Sequence, residues 1–260
     1  MRHIIHDYIL NPQHPLSVSV IGCGGTGSQV LTALGRMNYA LQKLGHPGLH
    51  VIAYDADTVT EANCGRQLFS EAEVGLNKAA ALISKLNYFF GTAWESVPEM
   101  YGKGLSSANI TVSCVDTAAA RLSIRRTLNE TESNRYHTED FERVYYWLDF
   151  GNLANTGQVV LGTVGQSFRQ NTKKDDCEGY LPDVTEMFDL TAIDDKNSGP
   201  SCSLAEALTK QDLFINSTLA NIGMALMWKM FSGIIDNQGA FLNLETMCVN
   251  PIMIVKHGKK

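Results

Sequence analysis

One feature constrains this chain more than any other: a β-branched run ends in a cluster of glycines, and a helical pattern follows. Residues 17–21 read Ser-Val-Ser-Val-Ile, and residues 22–27 fit the pattern G-x-G-x-x-G. From Gln29 to Leu44, apolar residues recur at helical spacing. Glycines let the backbone approach a phosphate closely, and the free N–H groups at a helix start favour negative charge. The pattern predicts a nucleotide site, with a tight turn that only packs the helix on the strand as the alternative. The glycines expected to contact the nucleotide are Gly22, Gly24, Gly25 and Gly27.

Strand-like and helical stretches alternate through the rest of the first 150 residues. Residues 50–55, 110–115 and 144–148 read as strands, and residues 77–90 carry a helical pattern. This alternation predicts a parallel sheet that is covered on both faces. We therefore expect an α/β fold of the Rossmann-like, doubly wound type.

The pattern changes after residue 150. Residues 157–164 read as a strand, whereas residues 166–203 are mostly polar, which is typical of a lid, a binding loop or a disordered segment. Helical spacing returns at 204–231, and two strands are expected at 240–246 and 248–255. We expect antiparallel strands to continue the mainly parallel sheet, with a crossover loop and a C-terminal helix. The expected divisions are a core at 1–164, a crossover or lid loop at 165–203, and residues 204–260 completing the same domain.

Charge and hydropathy exclude several function classes. The net charge is 21 − 27 = −6 without a block of Lys or Arg, so we expect no nucleic-acid partner. The most apolar late stretch, Ile222 to Ile235, contains Lys229 and is too short to span a bilayer. We expect a soluble, cytoplasmic protein without a membrane partner.

The six cysteines lie far apart, at positions 23, 64, 114, 177, 202 and 248. No pair forms Cys-x-x-Cys, so neither a zinc site nor a redox motif is expected, and a core-rich chain of this length needs no disulfides. We interpret Cys23 and Cys114 as packing residues.

Asp55, at the end of the second expected strand, is placed to accept hydrogen bonds from ribose hydroxyls. In a dinucleotide-dependent dehydrogenase the acidic residue lies about 20 residues beyond the glycines. Asp55 comes 28 residues after Gly27, a distance that a long helix could absorb. An NAD-dependent oxidoreductase therefore stays open at this point.

The segments that follow resemble the ThiF/MoeB family, the bacterial relatives of ubiquitin-activating enzymes. The family pattern is Asp-x-Asp-x-Val, then Ser-Asn-Leu-x-Arg-Gln, then Val-Gly-x-x-Lys. Its counterparts here are residues 55–59, residues 62–67, which read Ala-Asn-Cys-Gly-Arg-Gln, and residues 74–78. Residues 113–117, Ser-Cys-Val-Asp-Thr, and the stretch 149–158 resemble later motifs of the family. The resemblance covers about residues 17–164. The isolated thiol and the lid are most similar to ThiF-type proteins of bacterial plasmid clusters of the PRTRC kind.

This resemblance implies ATP-dependent adenylation of a carboxylate, normally the C-terminal glycine of a small ubiquitin-fold or ThiS-like carrier protein. The implied cofactors are ATP and Mg²⁺, and family members commonly form homodimers. The implied roles are ribose binding by Asp55 in the Asp55-x-Asp57 pair, triphosphate binding by Asn63, Arg66 and Lys78, support by Gln67, and Mg²⁺ binding by Asp116.

Two departures from the family pattern stand out. Gly65 replaces the usual polar residue, and the interval from Arg66 to Lys78 is one residue shorter than expected. Family dimers often send an N-terminal arginine into the partner's active site, and this N-terminus offers only Arg2. Either Arg2 makes that contact or the contact is missing.

Cys202 is a candidate nucleophile. It precedes a helix expected to start near Ser203, with Glu206 in a capping-box arrangement, and a helix start favours a thiolate. The stretch Pro-Ser-Cys-Ser also resembles the thioester site of ubiquitin-activating enzymes. A structural thiol on the crossover loop is the alternative, and Cys177 is either a relic of a zinc pair or a plain loop cysteine.

Two further function classes stay open beside the carrier-activating enzyme and the oxidoreductase. One is an enzyme of the same fold that activates a small or tRNA-borne carboxylate. The other is a non-catalytic scaffold that retains the fold and binds a ubiquitin-like partner.

Overall fold

One eight-stranded sheet with helices on both faces forms the body of the chain. The structure is a computed structural model that describes residues 1–102, 108–133, 139–165, 176–192, 205 and 210–256. Its strands are β1 His3–Ile4, β2 Leu16–Ile21, β3 Leu49–Tyr54, β4 Glu95–Val97, β5 Ile110–Ser113, β6 Tyr146–Asn152, β7 Thr156–Thr163, β8 Ile234–Ile235, β9 Asn237–Asn243 and β10 Cys248–Met253. Its α-helices are α1 Asp7–Leu10, α2 Gly25–Lys43, α3 Lys78–Phe90, α4 Ala118–Ser133, α5 Val184–Met187 and α6 Ile215–Met230.

The strand order of the main sheet is β10-β9-β7-β6-β5-β2-β3-β4. The five strands from β6 to β4 pair in parallel, whereas β7, β9 and β10 pair antiparallel. The expected fold class, a mainly parallel Rossmann-like sheet continued by antiparallel strands, is therefore confirmed. The two-residue strands β1 and β8 form a separate small sheet.

Strand residues alternate between two buried layers, one on each face of the sheet. Leu148 and Phe150 of β6 belong to the larger cluster, which also contains apolar residues of α2, α3 and α6. Trp147, directly before Leu148 in the sequence, belongs to the smaller cluster with residues of α4 and α5. This period of two, on strands buried on both faces, is what a doubly wound sheet requires.

The helical stretch expected over 204–231 is interrupted. Lys210 is helical, residues 211–214 are not, and the long helix α6 starts at Ile215. The backbone N–H of Asp212 donates to Ala154 O, and its side chain accepts from the N–H of Phe214. These bonds hold residues 211–214 outside the helix. None of the described helices is long and apolar enough to cross a bilayer.

The described part of the expected crossover, 176–192, packs against the sheet. Leu181 is fully buried, and its carbonyl accepts a hydrogen bond from Thr163 N at the end of β7. Asp183, at the start of α5, pairs with Arg125 of α4 at 2.5 Å. This portion is therefore anchored on the α4 face of the sheet.

Candidate nucleotide-binding site

The glycine turn lies where the topology of the sheet reverses. β3 pairs with one side of β2 and β5 with the other, and Ile21 at the end of β2 is in register with Tyr54 and Ser113. The segments that leave these three strands therefore meet at one carboxyl edge. Such a switch point is where open α/β sheets bind ligands.

The glycines of the turn are required by close backbone packing. Gly22 has φ 89°, and a Cβ there would lie 2.7 Å from Cys114 O. A Cβ on Gly27 would lie 1.9 Å from Gly22 O, which no rearrangement of side chains could relieve. Helix α2 begins at Gly25 and has no side-chain cap at Gly24, so its first N–H groups are available to an anion.

Asp55 ties the end of β3 to the glycine turn. Its Oδ2 accepts from Cys23 N at 2.6 Å, and its Oδ1 accepts from Asp57 N at 2.8 Å. Burial raises the pKa of Asp55, while these two hydrogen bonds and the charge of Lys78 oppose that rise. A carboxylate oxygen has more than one lone pair, so ribose hydroxyls could still donate to it.

Lys78 is the first residue of α3 and is held toward the same edge. Its side chain is 11% exposed, and its Nζ lies 3.0 Å from Oδ2 of Asp57, which is 73% exposed. The ammonium group is thus largely desolvated but is paired with a carboxylate that water reaches. An anionic ligand could compete with Asp57 for this charge.

Asn63 and Gln67 belong to the short segment between β3 and α3. Oδ1 of Asn63 accepts from Thr60 N at 2.9 Å, which leaves the amide NH₂ as the group that could bind a phosphate. Nε2 of Gln67 lies 3.9 Å from the point where a Cβ on Gly24 would stand, and its buried Oε1 has no hydrogen-bond partner in the described structure. Gln67 therefore reaches the glycine turn.

Arg66 connects this segment with the C-terminal part of the chain. Gly65 before it has φ 77°, a conformation that favours glycine and explains why this position lacks the usual polar residue. Nη1 of Arg66 donates to Oε1 of Gln211 at 2.9 Å, and its buried Nε has no partner among the described residues. Burial lowers the pKa of Arg66, and the charge of Asp116 opposes that shift.

Asp116 follows β5 and is exposed at the same edge. It is close enough to Arg66 for their charges to interact. Within the described ranges, no group of three His, Cys, Asp or Glu side chains could hold a metal ion. One exposed carboxylate suits Mg²⁺, which usually keeps several waters and takes other ligands from substrate phosphates.

A buried ion pair lies between α4 and the carboxyl edge of the parallel strands. Nε of Arg121 lies 2.9 Å from Oδ2 of Asp149, and Ser113 Oγ donates to the same carboxylate at 2.5 Å. Arg121 also donates to Phe150 O at 2.8 Å. The pair therefore joins α4 to β5 and β6.

Two of the residues singled out in the sequence lie away from this edge or outside the described part. Arg2 forms an ion pair with Asp176, and its neighbour His3 hydrogen-bonds to Tyr146 at the amino end of β6. Arg2 is therefore at the opposite end of the parallel strands in its own chain.

Cys202 lies outside the described residues. Cys23 and Cys114 are buried, in agreement with the expected packing role.

Three residues at this edge were not predicted from the sequence: Thr26, Gln211 and Asn216. Thr26 Oγ1 donates to Asn216 Oδ1 at 2.9 Å, and Asn216 Nδ2 donates to Gln211 Oε1 at 3.0 Å. Thr26 lay inside the recognised turn. No local sequence pattern points to Gln211 and Asn216. They lie about 190 residues after Thr26, so only tertiary packing brings them to the glycine turn.

The sheet and its switch-point turn define a protein of the Rossmann-like α/β class. The model of the ThiF family matches residues 13–249, and the chain belongs to the ThiF family. Ubiquitin-like modifier-activating enzyme 5 of Culex quinquefasciatus is 28% identical over 140 residues, which cover 47% of this chain and 33% of that protein.

Solved structures share the fold. Selenomethionine PaaA matches with a TM-score of 0.58 and 14% identity, over 94% of this chain and 65% of that one. Escherichia coli MccB with ATP matches with a TM-score of 0.53 and 16% identity, over 92% of this chain and 63% of that one. The chain thus spans a third of the curated relative and less than two thirds of each of these structures.

Proposed function

We propose that the chain binds ATP at the glycine turn and uses it to adenylate a carboxylate. One observation carries the proposal: a carboxylate and two cations from separate segments are linked to the switch point of the sheet. Asp55 accepts from the glycine turn, and Lys78 pairs with Asp57. Arg66 is linked through Gln211 and Asn216 to Thr26 in the first turn of α2. A dinucleotide-dependent dehydrogenase has no use for two cations at this position. Family membership supports an adenylation-type activity.

The proposed roles follow from the chemistry of each side chain. Asp55 accepts hydrogen bonds from the ribose, and the N–H groups of the glycine turn contact phosphate oxygens. Arg66 and Lys78 neutralise the triphosphate, and the amide of Asn63 donates to it. Gln67 supports this set from beside the turn.

The reaction needs alignment and charge neutralisation more than proton transfer. An oxygen of the substrate carboxylate attacks the α-phosphorus of ATP, while the bond from that phosphorus to the bridging oxygen of the β-phosphate breaks. Pyrophosphate leaves with the bonding electrons, so negative charge grows on the leaving group. Fixed cations such as Arg66 and Lys78 stabilise this charge in a site that partly excludes water.

Mg²⁺ fits this site through Asp116, with waters and phosphate oxygens as its other ligands. It would supply further charge neutralisation on the phosphates. The arrangement does not require a dedicated set of protein ligands.

We infer that the carboxylate belongs to the C-terminal glycine of a small ubiquitin-fold or ThiS-like carrier protein. The name of the curated relative supports a ubiquitin-like substrate, and MccB is solved with MccA-N7isoASN. We place this activity in a cytoplasmic homodimer. Its proposed divisions are the adenylation core at 1–164, the crossover at 165–203, and the completing segment at 204–260.

We also propose that Cys202 takes the activated acyl group. Its thiolate would attack the carbonyl carbon of the acyl adenylate, a C–S bond would form, and AMP would leave. The test looks for a covalent adduct between this chain and the carrier protein. We expect free thiol to cleave the adduct, and Cys202→Ala to abolish it while pyrophosphate exchange persists. An adduct that survives this substitution refutes the role of Cys202.

Calorimetry with ATP and Mg²⁺, and separately with NAD, tests the nucleotide class. We expect binding of ATP that weakens in Lys78→Ala, and no comparable binding of NAD. Preferential NAD binding would support an oxidoreductase. If the chain binds ATP but shows no pyrophosphate exchange with any carrier protein tested, the result would support a non-catalytic scaffold.

A further inference from the structure

Three hydrogen bonds in series join Arg66 to the first turn of α2. Nη1 of Arg66 donates to Gln211 Oε1 at 2.9 Å, and Asn216 Nδ2 donates to the same oxygen at 3.0 Å. Oδ1 of Asn216 accepts from Thr26 Oγ1 at 2.9 Å. The path thus runs from the side chain of Arg66 to the helix that the glycine turn precedes.

The amide of Gln211 has only one orientation that satisfies these bonds. Both neighbours of its oxygen are donors, and its Nε2 lies 3.4 Å from Leu153 O, which is an acceptor. Flipping the amide would set NH₂ against two donors and oxygen against a carbonyl. The oxygen therefore faces Arg66.

The absence of a side chain at Gly25 permits this path. A Cβ on Gly25 would lie 2.7 Å from side-chain atoms of Asn216, so the amide of Asn216 packs directly on the backbone at the start of α2. Thr26 and Asn216 are both buried. The link between the two helices is therefore packed and largely dry, where a hydrogen bond fixes geometry well.

A neutral acceptor suits a cation that binds phosphate. A carboxylate in the place of Gln211 would hold Arg66 but would also cancel its charge. The amide oxygen fixes Nη1 and leaves both the full positive charge and the unpartnered, buried Nε of Arg66 for an anion.

We propose that Gln211 is a positioning residue for the adenylation reaction: it orients Arg66 toward the triphosphate and, through Asn216, couples that orientation to the N-terminus of α2. This inference rests on the proposed function, since ATP is the anion concerned. Gln211 itself touches no reacting atom.

The test compares ATP with adenosine, which lacks the phosphates. Gln211→Met keeps the volume and removes the acceptor, and we expect about tenfold weaker binding of ATP with Mg²⁺ by calorimetry. Adenosine binding, followed by ligand-observed NMR, should stay within about twofold of the wild type, because adenosine does not use Arg66. Asn221→Ala, an exposed change on α6, is the control and should alter neither affinity.

A double-mutant cycle separates positioning from general support. If Gln211 acts through Arg66, Gln211→Met has no further effect on ATP affinity in an Arg66→Met background. Equal weakening of ATP and adenosine, or the same tenfold loss in both backgrounds, would overturn the inference while ATP binding by the wild type still stands. A wild type that does not bind ATP would instead overturn the proposed function and this inference with it.

Discussion

The carboxylate of Asp55 accepts a hydrogen bond of 2.6 Å from the backbone N–H of Cys23, inside the glycine turn. One side chain thus joins the carboxyl end of β3 to the turn that follows β2. Since Oδ1 of the same carboxylate accepts from Asp57 N, Asp55 orders the backbone on both sides of the site.

Asp55→Asn should weaken both the fold and nucleotide binding. Asparagine has one acceptor oxygen, so one of the two backbone N–H groups would face an NH₂ group instead. We expect a loss of about 1–3 kcal/mol in the free energy of unfolding, measured in urea, and weaker ATP binding. Glu99→Gln, an exposed carboxylate just beyond β4, is the control, and an Asp55→Asn variant that matches it would contradict this account.

Two alanine substitutions in the glycine turn should have different effects. Gly27→Ala places a Cβ 1.9 Å from Gly22 O, so we expect it to lower stability by more than about 3 kcal/mol or to prevent folding. Around Gly24, Gln67 Nε2 at 3.9 Å is the only atom of the described residues, beyond the neighbours in the chain, that comes within 4 Å of the added Cβ. Gly24→Ala should therefore fold, with a cost of about 1 kcal/mol, yet bind ATP more weakly because the methyl group obstructs phosphate approach. Thermal unfolding and calorimetry of both variants check this contrast.

Lys78→Ala should slow the adenylation chemistry strongly and spare the fold. The ammonium group is paired with the exposed Asp57, so its loss costs about 1 kcal/mol of stability at most. Loss of a cation that stabilises the leaving pyrophosphate should slow pyrophosphate exchange by about 100-fold or more.

Lys85→Ala is the matched control, because Lys85 lies on the same helix and pairs with Glu73 at 2.9 Å. We expect its exchange rate to equal that of the wild type. Equal rates in the two lysine variants would exclude a catalytic role for Lys78.

Arg121→Met should destabilise the chain in a pH-dependent way. It leaves the carboxylate of Asp149 buried without its counter-charge, which costs about 3–5 kcal/mol near neutral pH. Burial already raises the pKa of Asp149, and removing Arg121 raises it further. The folded variant therefore takes up a proton at higher pH than the unfolded chain, and the loss of stability should shrink as pH falls toward about 5.

Urea denaturation near pH 7 and near pH 5 measures this effect. Arg143→Met, at a half-exposed ion pair with Asp140, should change stability by less than about 1 kcal/mol at either pH. A penalty for Arg121→Met that is independent of pH would show that Asp149 does not titrate as described.

Local sequence patterns were sufficient to predict the fold class and the part of the site formed by the glycine turn and Asp55. The strand, the glycine turn and α2 are adjacent in sequence, and Asp55 follows directly from the end of β3, so periodicity and turn chemistry predicted them. The interruption at 211–214 was missed because the side chain of Asp212 accepts a hydrogen bond from a backbone N–H, and helical spacing does not reveal such a bond. Gln211 and Asn216 were missed because only tertiary packing brings them to Arg66 and Thr26.

Pyrophosphate exchange dependent on a carrier protein tests the central claim most directly. The reaction contains labelled pyrophosphate, ATP, Mg²⁺ and a small ubiquitin-fold protein that ends in glycine, compared with the same protein after amidation of its C-terminus. We predict label in ATP only with the free carboxylate, and none in a variant carrying both Lys78→Ala and Asp116→Ala. Exchange that persists in this double variant would contradict the claim that this site adenylates a carboxylate.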